Sequence, residues 1–189
     1  MMSAILVPIL AAAITVPQPQ DRLFEAIIRS LPARGGEVDL EVFVAPDGEV
    51  LECRNLLSRP SEEVGERACE RAIGRRTFKP ALGPDGEPTH GLNWFMLSTS
   101  RRADYGRPAD LVINVQSLPG GGSQQILALI VMVDTSGAVT HCENTDSERQ
   151  ALARIACEQA EAHRWTVRKG KGGEPVSYSA AVKIAFVEG

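Results

Sequence analysis

Cys53, Cys69, Cys142 and Cys157 are the residues of this 189-residue chain with the widest chemistry open to them: disulfide bonding, metal ligation or thiol catalysis. Reactive cysteine pairs usually stand close together at a helix N-terminus, and structural metal sites usually open with Cys-x-x-Cys. Neither pattern occurs here. His141 adjoins Cys142 and His163 follows Cys157, yet Cys53 and Cys69 have no matching histidines. Adjacent strand residues also point to opposite faces, so His141 and Cys142 cannot both face one ion. Four cysteines allow three disulfide pairings.

No other constellation replaces them. Gly-x-Ser-x-Gly, His-Glu-x-x-His, a phosphate loop and a nucleotide fingerprint are all missing from the sequence. Asp47, Glu49, Asp134 and Glu143 fall near turns and strand ends, where solvated carboxylates are expected, and His90 sits beside a turn. No nucleophile, base and orienting group assemble from these residues, so no catalytic residue, cofactor or metal is expected. A net charge of −4, with Lys and Arg scattered, gives no basic surface for a phosphate backbone. Five Phe, two Trp and two Tyr are too few for a base-stacking platform, so nucleic acid is not an expected partner.

The elements that must position the cysteines occur twice. VDLEVFVAPDGEVLEC over residues 38–53 is answered by ILALIVMVDTSGAVTHC over residues 126–142, which aligns Gly48 with Gly137 and Cys53 with Cys142. Cys69-Glu70, Phe78 and Gly86-Glu87-Pro88 then find counterparts in Cys157-Glu158, Trp165 and Gly173-Glu174-Pro175. In the first copy Val38, Leu40, Val42 and Val44 alternate with Asp39, Glu41 and Phe43, the period of a half-buried strand. Pro46-Asp47-Gly48 makes a turn into a second strand over 49–56. Ser61 caps a helix with Val64, Ala68, Ala72 and Ile73 as its stripe, and residues 92–97 form a third strand.

The second copy has a capping box at Ser147 and Gln150, a stripe of Leu152, Ile155, Ala156 and Ala160, and a last strand over 179–187. Residues 126–133 are apolar without alternation, which predicts a strand covered on both faces where the copies meet. Residues 111–115 form an extra strand, and Asp21 starts a short helix carrying Leu23, Phe24, Ile27, Ile28 and Leu31. The fold class is α+β: two tandem ββαβ units, each a small antiparallel sheet with one packed helix, over residues 21–103 and 104–189. The repeat also selects the disulfides, Cys53 to Cys69 and Cys142 to Cys157, each tying a helix to a strand.

Residues 4–16 are an apolar run with Pro8 in its middle, no charge before Asp21 and small residues at Ala11, Ala12 and Ala13. Residues 1–20 read as a secretory signal peptide, or as an N-terminal anchor if uncut. Such a leader and two disulfides agree on an oxidising compartment, the periplasm.

Leu31-Pro32-Ala33, PDGEV, Phe78-Lys79-Pro80-Ala81 and DGEP, in that order around a helix, resemble the TonB C-terminal domain, and the second copy resembles it through DTSGAV, Arg164-Trp165 and GGEP. Leu31 stands where that family commonly has Tyr, and Thr166-Val167 replace its Lys-Pro step. The resemblance implies a non-enzymatic module that binds a short peptide of an outer-membrane transporter along the edge of a closing strand. Here those edges carry Asn93, Phe95 and Leu97 in one copy and Lys183 and Ala185 in the other. The physics is β-augmentation, in which unpaired backbone groups accept an added strand. The family's anchor helix with a polar coupling residue and its Pro-rich spacer are not evident, so membrane contact is expected only through an uncut N-terminus. The alternative is a structural cell-envelope protein whose sheet edges pair with each other. A free closing-strand edge favours the first reading, and a continuous sheet through both copies favours the second.

Overall fold

A computed structural model of the chain describes residues 13–20, 25, 27, 29, 31, 36–99, 108–144 and 149–189. Most of the leader, Asp21, Leu23, Phe24 and Ile28 of the first helix, the boundary at 104 and Ser147 of the capping box lie outside the described residues. Strands β1 (Gln18–Pro19), β2 (Glu37–Val44) and β3 (Val50–Arg59) precede helix α1 (Glu62–Ala72), which is followed by β4 (Phe78–Lys79), β5 (Ala81–Leu82) and β6 (Pro88–Ser98). After β7 (Leu111–Val115) come β8 (Gln124–Val133), β9 (Val139–Asn144), helix α2 (Gln150–Ala162), β10 (Arg168–Lys169), β11 (Pro175–Val176) and β12 (Tyr178–Glu188). The protein is α+β and sheet-rich, and no helix among the described residues is long and apolar enough to cross a membrane.

The two hairpins turn by the same chemistry. Gly48 and Gly137 both hold φ near +82°, where L side chains are strained, and a Cβ on either would collide with the carbonyl oxygen of Phe78 or Trp165. The carbonyls of these glycines accept the amides of Phe78 and Trp165 in turn, at 3.3 and 2.9 Å. α1 begins after Ser61, which is extended at φ −142° but makes no side-chain cap bond, and it buries Val64, Ala68, Cys69 and Ala72. Ile73 closes the helix instead of joining its stripe and is 48% exposed. α2 starts from Arg149 and buries Leu152, Ala153, Ala156 and Ala160, with Ile155 half-buried.

The two expected small sheets are one eight-stranded mixed sheet, ordered β3-β2-β6-β12-β8-β9, with β7 also on β12 and β5 on β6. Its centre is a parallel contact: His90, Gly91 and Leu92 of β6 run beside Tyr178, Ser179 and Ala180 of β12. The two helices lie on opposite sides of this sheet, as the neighbours of successive β2 residues show. α1 packs with Val38, Leu40, Val42, Val44 and Phe95. α2 packs with Leu129, Val131, Val182 and Ile184, and that cluster takes in Phe43, which points away from Val42 and Val44.

Consequently β2 is buried along its whole length, including Glu37, Asp39 and Glu41, whereas alternation had predicted one wet face. β8 departs in the other direction. Leu127, Leu129 and Val131 are buried, but Ile126 is 42% exposed and Ala128 is exposed, because the halves join at β6 and β12 and not at β8.

Cys53 bonds Cys69 and Cys142 bonds Cys157, with Cα atoms 5.3 and 5.7 Å apart, so each outer strand is stapled to its helix. Closing a loop of this length stabilises by about 3 kcal/mol in the chain-entropy account. Cys142→Ser is therefore expected to lower the melting temperature of the oxidised protein and to leave that of the reduced protein unchanged. Thermal melts with and without reductant test this, and equal loss in both would show that the bond contributes nothing.

Candidate functional site

β12 is paired along both edges. β8 takes one side from Tyr178 to Val187. On the other side β6 pairs its first residues, and β7 runs parallel to residues 184–188. Between those two partners Asp110 closes the ladder: its Oδ2 accepts the Lys183 amide at 2.7 Å, and its own amide donates to the Lys183 carbonyl at 2.7 Å. The edge at Lys183 and Ala185 is thus an interior ladder, and Ala185 is 1% exposed.

On β6, β2 pairs residues 91–98 along one edge and β12 pairs His90, Gly91 and Leu92 along the other, while β5 pairs Pro88 and Thr89. Asn93 turns its side chain back on the chain, accepting the Trp94 amide at 2.8 Å and donating to the Pro17 carbonyl at 2.8 Å. Phe95 lies in the α1 core with its ring centroid 6.0 Å from that of Phe78, and Leu97 packs against the same core. Asn93, Phe95 and Leu97 share the α1 face of the strand, and the structure brings none of them to Lys183 or Ala185 as one edge surface.

The charged groups converge at the seam between the halves. Arg168 of β10 donates to Glu41 at 3.1 Å and to Glu52 at 2.6 Å, and Arg54 pairs with Glu41 at 3.1 Å. Glu41 is 7% exposed, and two guanidiniums offset the desolvation that burial imposes on it. The Arg168 guanidinium also lies 5.8 Å from the Phe43 ring centroid, with His90 stacked on Phe43 at 5.6 Å and Tyr178 edge-on at 5.7 Å. The Tyr178 hydroxyl donates to the Thr166 carbonyl at 2.8 Å. Burial pushes the Tyr178 phenol above its usual range and the His90 imidazolium below its own.

Farther out, Lys171 bridges Asp47 at 2.9 Å and Glu49 at 2.7 Å, and Arg76 adds a contact to Asp47 at 2.9 Å. The Glu49 and Asp47 bonds raise the Lys171 ammonium above its ordinary value, and the Lys171 bond holds the Asp47 carboxyl below its own. On the second hairpin the Ser136 hydroxyl holds Asp134 low in the same way. A cleft of 230 Å³ opens beside this seam, lined by Glu41, Arg54, Asp110, Trp165 and Arg168 among others.

Chemically the seam is an ionic and aromatic clamp, with donors and acceptors of the first half matched to those of the second. All four cysteines are in disulfides, so none is a free thiolate. Sequence reasoning missed Glu41, Arg168 and Phe43. The only signal for Glu41 and Phe43 was an acid at every second position of a strand that also carried a phenylalanine, a pattern that equally describes a solvated face, and Arg168 carried none. No family model, no curated protein and no solved structure matches this chain.

Proposed function

We propose that the chain is a non-enzymatic, extracytoplasmic envelope protein built from two TonB-C-terminal-like ββαβ units, each serving as the other's strand partner. The observation that carries the reading is β12, whose two edges are both occupied within the same chain. Support for a duplicated unit comes from the order strand, strand, helix, strand on both sides of the seam and from the equivalent glycine turns at Gly48 and Gly137. Support for an oxidising compartment comes from the two disulfides together with the apolar leader.

In this reading the protein is a structural module of the cell envelope. The family's transporter peptide, to add at Lys183 and Ala185, would have to displace β7 and Asp110. Peptides from outer-membrane transporters are expected to leave the amide resonances of residues 183–187 unmoved. Asp110→Ala is expected to speed hydrogen exchange at the Lys183 amide. Saturable peptide-induced shifts at those amides in the wild-type protein would overturn the reading in favour of transporter binding.

A further inference from the structure

The backbone nitrogen of Ile14 faces a carboxylate far along the chain, 3.3 Å from Oε1 and 3.2 Å from Oε2 of Glu143 on β9. A single amide hydrogen cannot serve both oxygens at full strength. Among the described residues Glu143 has no cation to offset its half-buried charge. Ile14 itself is 2% exposed, whereas Ala13 is exposed.

From Ile14 onward the chain is fastened into the fold. The Thr15 amide donates to the Leu82 carbonyl at 3.1 Å, and the Leu82 amide donates to Thr15 Oγ1 at 2.9 Å. The Pro17 carbonyl accepts from Asn93, and the Pro17 ring sits so close to Gly91 that a Cβ there would fall 2.5 Å from it. Gln18 and Pro19 pair with Lys79 and Phe78, and the Gln20 amide donates to the Thr77 carbonyl at 2.9 Å. Cutting at residue 20 would remove all of these contacts. On the other side of Ile14 stand Ala11, Ala12 and Ala13, the small side chains a leader peptidase selects before its scissile bond.

We propose that a leader peptidase cuts between Ala13 and Ile14 and that the new Ile14 α-ammonium forms an ion pair with Glu143. Hydrolysis breaks the C–N bond of that peptide. The hydroxyl of water goes to the Ala13 carbonyl carbon and its hydrogen to the Ile14 nitrogen, and the proton of the new Ala13 acid leaves while the amine takes one up. Three N–H donors then stand where one stood, facing two oxygens already in range. The pair anchors the strap of residues 14–20, laid over β4, β5 and β6, to β9 of the other half. Folding thus completes at the residue that processing exposes.

The inference rests on export of the chain, as proposed above. The test expresses the full chain with its leader, isolates the extracytoplasmic protein and determines its N-terminus by mass spectrometry. Labelling of the α-amine at neutral pH follows, in wild type and Glu143→Gln. The expected N-terminus is Ile14, with the amine labelled about tenfold more slowly in wild type, the change that a one-unit rise in its pKa produces. Lysine labelling is expected to be equal in the two proteins. If Glu143→Gln fails to fold, native wild type against urea-unfolded wild type makes the same comparison. A disulfide-bonded protein beginning at any other residue, or equal labelling rates, would overturn this inference alone. An uncut chain with four free thiols would overturn export as well.

Discussion

Phe43→Ala is expected to destabilise the protein by about 3–5 kcal/mol, the range for truncating a fully buried aromatic ring. Phe43 has no exposed surface, and although its strand belongs to the first half, its ring belongs to the cluster that packs α2. Removing it takes away the stacking partner of His90, the edge contact of Tyr178 and the face under Arg168 at one stroke. The cavity would open where the parallel β6 and β12 contact is only three residue pairs long. For a chain of this size the loss corresponds to a fall in melting temperature on the order of 10 °C. Phe43→Leu is expected to fall by less, since it keeps most of the apolar volume. Denaturant titration of the two variants measures both, and a loss under about 1 kcal/mol for Phe43→Ala would mean that the halves do not depend on this ring.

Val42→Asp is expected to be more severe still. Val42 is fully buried on the opposite face of β2, among Leu40, Val44, Val64, Ala68 and Phe95. A carboxylate placed there would meet only apolar side chains of that cluster, and burial of an unpaired charge costs more than about 4 kcal/mol. One residue earlier, Glu41 is also buried and is tolerated because Arg54 and Arg168 reach it. Adjacent positions on one strand therefore give opposite answers to the same functional group. The variant is expected to lose its cooperative melt and to accumulate as insoluble protein. A soluble variant with a wild-type melt would refute the placement of Val42.

Much of the local structure is legible in the sequence. Hairpin turns at Gly48 and Gly137 follow from turn residues with a fixed backbone demand, and β7 appears at Leu111–Val115 where the short apolar run predicts it. The disulfide partners were legible because a duplicated pattern removes the ambiguity that four isolated cysteines carry. Less was legible of the seam. Glu41 and Arg168 are 127 positions apart, and each alone looks like an ordinary surface charge. Asp110 gave no sign that it would clasp the backbone of Lys183, because the bond depends on where a connecting segment returns to the sheet.

By itself the sequence determined the main strands and helices, their order and the covalent staples, since these follow from side-chain periodicity, turn chemistry and repetition along the chain. Only the tertiary structure decided that the closing strands meet in parallel, that the helices lie on opposite faces, and that β2 is covered on both. The reason is physical. Strand edges join through backbone N–H and C=O groups that almost every residue carries alike, so the chain holds little code for which edge meets which. That choice is made when the side chains on both faces find partners at once, as Phe43 and Glu41 do across the seam.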